Sequence, residues 1–165
     1  FFLTWHVDHI APKTGCCIIR SGSSCHNIRI YINRIYRIAD SDLIVKGKDL
    51  LNISGITFSG GDPLHPANVN GVLELIEEIR SKYPDKTIWL YTGYTWEQLF
   101  DSDNNPCSKR GEVVRNVDVV VDGRFVQSLL DVNYPWAGSR NQRVILVKET
   151  LGDNTGHIHL WKLDH

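Results

Sequence analysis

From Leu51 to Val147 the chain alternates short apolar runs with amphipathic stretches and polar breaks. Gly55–Ser59 (GITFS) is rich in β-branched and aromatic residues and reads as a buried strand. Val69, Val72, Leu73, Ile76, Ile79 and Tyr83 recur at helical spacing, which predicts an amphipathic helix over Asn68–Tyr83, stopped by Pro84. Glu78 and Lys82 form an i,i+4 pair on its outer face. Thr87–Thr92 is the next expected strand, ending at Gly93. A short helix follows in YTWEQLF, where Thr95 and Gln98 have the spacing of a capping box. DSDNNPCSKRG reads as a polar loop, and Val117–Val121 as a third strand running into Asp122-Gly123. FVQSLL predicts a single helical turn, and Arg143–Val147 a late strand. Strands that alternate with helices predict parallel pairing through helical crossovers, hence an α/β sheet or partial barrel.

The upstream part follows a different pattern. Asn27–Ile38 (NIRIYINRIYRI) uses four residue types and contains no acid. Ile28, Ile30 and Ile32 alternate with Arg29, Tyr31 and Asn33, as in a half-buried surface strand with a basic outer side. The rest of the chain does not extend that basic field. The formal net charge is -1 over 165 residues, so no nucleic-acid partner is expected. Hydrophobic residues at 42% and charged residues at 22% fit one globular domain spanning residues 1–165. No apolar run approaches the ~20 residues of a membrane-spanning helix, and no membrane partner is expected. Cys16, Cys17, Cys25 and Cys107 form no disulfide framework, which points to a reducing cytoplasm. The ligand-type residues His6, His9, Cys16, Cys17, Cys25 and His26 lack the paired spacing of a zinc site. The chain has no methionine and starts Phe1-Phe2, which suggests a trimmed or incompletely known N-terminus.

In open α/β sheets, ligands bind at the carboxyl ends of strands. Three such ends carry glycine or acid here: Ser59-Gly60-Gly61-Asp62, Thr92-Gly93-Tyr94 and Asp122-Gly123. Glycines let a backbone lie directly against a ligand, and the Asp62 carboxylate suits a ligand ammonium. The plainer reading of Gly-Gly and Asp-Pro is a turn. Three such ends at one edge favour a pocket lined by Gly60, Gly61, Asp62, Thr92 and Asp122.

The blocks SGGDPLHP, IWLYTGYT, VDGRFV and GSRNQR, in that order and spacing, resemble the activating proteins of anaerobic ribonucleoside-triphosphate reductase. These are small radical-SAM enzymes, and the resemblance covers residues 53–145. It implies a radical-SAM-like partial (β/α) barrel of mostly parallel strands with outer helices. It implies S-adenosylmethionine and a 4Fe-4S cluster as cofactors. The cluster reduces the sulfonium, and the resulting 5′-deoxyadenosyl radical takes a hydrogen from a glycine of the reductase large subunit. The implied partners are that glycyl-radical protein and an electron donor such as flavodoxin. By this resemblance, Gly60, Gly61, Asp62, Thr92, Gly93, Asp122, Ser139, Asn141 and Gln142 are the candidate cofactor-binding residues. For Asn141 and Gln142, hydrogen bonding at a strand entry is the competing role. Trp136, beside GSRNQR, is a candidate docking residue.

Residues 1–50 diverge from the family. Its cluster is held by Cys-x3-Cys-x2-Cys after an SGC-like segment. Aligned on Ser21-Gly22, those positions fall on Ser23, Asn27 and Ile30, none of them a thiol. Serine and asparagine are poor ligands for iron that favours thiolate, and isoleucine is none. Three accounts stand: a divergence that lost the cluster, a frame-shifted reading of an ordinary gene, or an imperfectly read sequence. The expected function is therefore a radical-SAM oxidoreductase that activates the reductase. The alternative is a catalytically inactive relative that binds S-adenosylmethionine or the reductase without radical chemistry. Catalytic residues are not assigned.

Overall fold

A computed structural model describes residues 15–18, 28–32 and 55–161, the first two stretches by their backbone pairing alone. Six strands form one open sheet in sequence order: β1 (Gly15–Ile18), β2 (Ile28–Ile32), β3 (Gly55–Gly60), β4 (Thr87–Tyr91), β5 (Val119–Asp122) and β6 (Arg143–Leu146). The helices are α1 (Val69–Lys82), α2 (Trp96–Leu99), α3 (Lys109–Arg115) and α4 (Val147–Gly152).

Parallel pairing holds for β3 with β4 and for β4 with β5, the strands joined by helical crossovers. The outer pairs β1–β2, β2–β3 and β5–β6 are antiparallel. The fold is therefore mixed α/β, with its parallel core confined to β3, β4 and β5. β6 departs from the expected parallel scheme because no crossover helix precedes it. Between β5 and β6 lie only one 3₁₀ turn, Gln127–Leu129, and loops. A parallel connection needs a crossover of a dozen or more residues, usually an α-helix.

The register lines up Phe58, Leu90, Val120 and Ile145 across four strands, and all four are fully buried. Val72, Ile76 and Ile79 of α1 and Val113 and Val114 of α3 belong to the same core. The opposite face carries a smaller cluster of Val119, Val121, Val144 and Ala137, flanked by Trp89, Tyr91 and Tyr134. Alternate residues of β4 and β5 thus serve different cores, as the two-residue strand period requires.

Several boundaries differ from the sequence reading. The expected polar loop holds the start of α3, capped by the Ser108 hydroxyl, which accepts from Arg110 N–H at 3.3 Å. Its seven residues are too few for a clear helical period. Val117 is buried but lies before β5, and its N–H donates to Val114 O at the end of α3. Val147 opens α4 instead of extending β6. The α2 cap holds as expected, with Thr95 N–H donating to Gln98 Oε1 at 3.0 Å. His159 is tied down near the chain end: its ring Nε2 pairs with Asp153 Oδ2 at 2.6 Å and its carbonyl accepts from Leu146 N–H. The side chains of Asn27–Ile38 lie outside the described residues.

Candidate functional site: the carboxyl edge of the parallel core

The turn after β4, residues 92–96, lies between the ends of β3 and β5. Asp62 reaches it from the β3 side. Its carboxylate accepts the Thr92 hydroxyl at 2.9 Å, Gly93 N–H at 2.9 Å and Leu64 N–H at 2.9 Å. Thr92 is buried, and its Oγ1 accepts from Tyr94 N–H at 3.2 Å. From the β5 side, Asp122 Oδ2 accepts Trp96 N–H at 2.8 Å, and Gly123 N–H donates to Tyr94 O at 2.9 Å. The structure thus brings Asp62, Thr92, Gly93 and Asp122 to one turn, and each carboxylate accepts from protein donors there.

Asp122 is 1% exposed and belongs to an ion triad. Arg143, at the start of β6, donates through Nε to Asp122 Oδ1 at 3.1 Å and through Nη2 to Oδ2. The same guanidinium donates to both oxygens of Glu97 in α2, at 2.9 and 3.0 Å. The hydrogen bond from Arg143 is the main reason that the Glu97 carboxyl is lowered to about 2. Arg143 in turn is raised, first by Asp122 and then by Glu97. Buried charge of this kind is tolerated only when it is paired and hydrogen-bonded.

Ser139, Asn141 and Gln142 sit at the entry to β6. Gln142 Oε1 accepts Gly138 N–H at 3.0 Å and Ser139 N–H at 3.2 Å, and its Nε2 donates to Gly123 O at 2.9 Å. Ser139 Oγ accepts Val126 N–H at 3.1 Å, and Asn141 Nδ2 donates to Arg124 O at 2.7 Å. These side chains satisfy loop backbone, the strand-entry role that competes with ligand binding.

The glycines offer the closest approach to the edge. Gly60 is exposed with φ of 102°, and Gly123 has φ of 89°, conformations that L side chains rarely adopt. A Cβ placed on Gly93 would lie 3.4 Å from both Asp62 Oδ2 and Arg124 Cγ. Gly61 is half-buried beside them. Trp136 is 37% exposed in the left-handed region at φ of 62°. Its carbonyl accepts the Tyr91 hydroxyl at 2.8 Å, and its ring lies 5.5 Å from Trp89.

A separate cleft of about 310 Å³ lies at the opposite edge, where Thr87 opens β4 and Val119 opens β5. Asp118 organises it by accepting from Arg80 at 2.6 Å, Ile88 N–H at 2.7 Å and Lys148 at 2.9 Å. Among the described residues, no three His, Cys, Asp or Glu side chains converge as a metal site. Ser23 and Asn27 lie outside the described residues, and Ile30 is placed by backbone pairing with Cys17 and Phe58 alone. No helix among the described residues is long and apolar enough to cross a membrane.

Sequence reading missed Arg143 and Glu97 as parts of this edge. Arg143 lies 21 positions from Asp122 and 46 from Glu97, so no local pattern links them.

Comparison with known proteins identifies the class first. Residues 14–145 match the family model described as a 4Fe-4S single cluster domain. Curated relatives then narrow it. One from Salmonella typhi is 44% identical over 143 residues, covering 81% of this chain and 88% of its own length. One from Vibrio cholerae is 36% identical over 141 residues, covering 79% and 86%. One from Escherichia coli K12 is 37% identical over 143 residues, covering 81% and 88%. All three are named anaerobic ribonucleoside-triphosphate reductase-activating protein, and this chain belongs to that family. No solved structure matches it.

Proposed function

We propose that this chain is an activating protein of anaerobic ribonucleotide reductase, of the type that uses S-adenosylmethionine and a 4Fe-4S cluster to make the reductase's glycyl radical. The observation that carries the reading is the family match over residues 14–145, supported by relatives that align with most of the chain. In this reading the open sheet is a radical-SAM-like partial barrel with its helices outside. The reductase large subunit is the partner, and a flavodoxin-like protein is the electron donor. Trp136 lies on the surface that the reductase touches.

The two cofactors fit the residues differently. For S-adenosylmethionine, the cradle at Gly60, Gly61 and Gly93 suits close contact between backbone and the methionine end, whose ammonium donates to backbone carbonyls and to a carboxylate such as that of Asp62. When bound, this cofactor supplies the adenosyl group from which a radical is made. Thr92 and Asp122 hold the turn beside that cradle. Ser139, Asn141 and Gln142 hold the β6 entry next to it.

The cluster does not fit the family positions, because Ser23, Asn27 and Ile30 offer a hydroxyl, an amide and a hydrocarbon. No step through the cluster is derived for these residues. This mismatch favours a second reading, a relative that binds S-adenosylmethionine or the reductase without radical chemistry. Anaerobic reconstitution with iron and sulfide, followed by a cofactor-cleavage assay, separates the two. About four irons per chain and cleavage support the enzyme. Cofactor binding without iron supports the inactive relative. Reductase capture alone supports a docking module. Binding of neither cofactor nor reductase overturns both readings. The triple change Ser23→Cys, Asn27→Cys and Ile30→Cys restores iron if the scaffold is otherwise intact.

A further inference from the structure

We infer that Tyr91 is a positioning residue: its hydroxyl holds the Trp136 backbone in the left-handed region and so fixes the indole as a rigid anchor for the reductase large subunit. The inference rests on the proposed docking of the reductase at Trp136. Two non-glycine residues among those described have a positive φ, Asn104 at 58° and Trp136 at 62°. Asparagine tolerates that conformation, because its short polar side chain bonds locally. A bulky residue there is strained, and such strain persists only where the surrounding groups over-determine it. Trp136 also follows Pro135 in a turn, the place where a type II turn takes glycine or asparagine.

Three restraints hold it. The Tyr91 hydroxyl, at the end of β4, donates to Trp136 O at 2.8 Å. Burial pushes that hydroxyl well above the ordinary tyrosine value, so it stays a donor. The Trp136 ring lies 5.5 Å from that of Trp89, tilted by 57°. On the C-terminal side Ala137 is buried, and Gly138 N–H donates to Gln142 Oε1 at 3.0 Å. These contacts do not bury the indole. Trp136 stays 37% exposed, and its Nε1–H has no acceptor among the described residues. A ring needed only to cover Trp89 could come from a residue with an ordinary φ. Held half open, it has the properties of an interface anchor: a large apolar area, a free donor and little freedom left to lose on binding. The exposed large hydrophobics among the described residues fall in two segments, 126–136 and 160–161. Trp89 joins the two, since its ring also lies 5.3 Å from that of Trp161. Such a concentration of exposed apolar side chains marks a protein-binding surface.

Fluorine NMR of the protein carrying fluorotryptophan tests the positioning without a partner. Trp136→Phe assigns one of the five tryptophan lines. Tyr91→Phe, which removes only the hydroxyl, should shift or broaden that line, and an unmoved line overturns the positioning. Urea unfolding tests the backbone. Trp136→Gly should unfold at a higher midpoint than Trp136→Ala, because alanine is disfavoured at positive φ. Equal midpoints or the reverse order overturn the left-handed restraint. Calorimetry against the large subunit of the anaerobic reductase tests the anchor. Trp136→Ala should weaken binding on the order of thirtyfold, as expected for a central aromatic anchor. Tyr91→Phe should weaken it on the order of tenfold, because fewer molecules present the ring in the bound geometry. Adding Tyr91→Phe to Trp136→Ala should cost nothing further, since Tyr91 acts through Trp136. A full additional loss overturns the inference, as does unchanged affinity in Trp136→Ala. Gly111→Ala, in α3, is the control for general destabilisation and should bind like the wild type; equal weakening there would also overturn the anchor. If the wild-type protein does not bind the reductase, the docking reading fails and the anchor role with it, while the fluorine line still decides whether Tyr91 holds Trp136.

Discussion

Replacing Arg143 with methionine tests how much the ion triad holds the carboxyl edge together. The substitution keeps most of the aliphatic stem and deletes the guanidinium. Asp122, 1% exposed, is then left with Trp96 N–H as its remaining partner. Unit charges about 4 Å apart at an effective dielectric near 20 interact by about 4 kcal/mol. Breaking a buried pair costs about 3–5 kcal/mol, because an uncompensated charge stays behind. The Arg143 side chain is 31% exposed and that of Glu97 is 60% exposed, so solvent screens part of the network. The Glu97 leg then contributes less than about 1 kcal/mol. The expected loss is about 3 kcal/mol, or a fall in Tm of about 6–12 °C for a chain of this size. Urea unfolding followed by the fluorescence of the chain's five tryptophans measures it. Adding Asp122→Asn to Arg143→Met removes the stranded charge and should recover more than half of the loss. A loss below about 1 kcal/mol would refute the reasoning. So would a double variant whose loss equals the sum of the single ones, since contacting residues must couple.

Three further outcomes follow from other parts of the fold. Gly111→Ala places a Cβ 2.5 Å from Leu99 O and 2.6 Å from Pro106 Cβ, so it should destabilise by about 1–3 kcal/mol, read as a shifted urea midpoint. Phe58→Ala empties the middle of the helix-side core and should cost about 3–5 kcal/mol; a smaller cost would mean that α1 collapses onto the sheet. Glu97 is lowered from 4.5 to about 2, so its contribution is complete above pH 4.5 and is lost as pH falls towards 2. Between those values Glu97→Gln should show a flatter dependence of stability on pH than the wild type, and an identical slope would remove Glu97 from the network.

What the chain determines by itself is local. The 3.6-residue spacing of Val72, Ile76 and Ile79 places α1, and the run Ile56–Phe58 places β3, because burying one face needs those periods wherever the element ends up. The Thr95–Gln98 cap is legible for the same reason, since its partners are three residues apart. The glycine-rich edge is legible too, because a backbone at φ near 100° or an open approach at Gly60 calls for glycine in any context. Helices α3 and α4 escape notice because each spans fewer than two full turns. Their buried residues, Val113, Val114 and Val147, read equally well as strand. The antiparallel entry of β6 also depends on how the chain returns, which no periodicity encodes. Tertiary structure alone decides what the acids do. Asp62 and Asp122 have ligand chemistry in sequence, but the fold delivers Thr92 and Gly93 to one and Trp96 and Arg143 to the other. A carboxylate accepts whichever donors are brought to it. Those donors lie 21 to 31 residues away, so their arrival is a property of strand order and not of any motif.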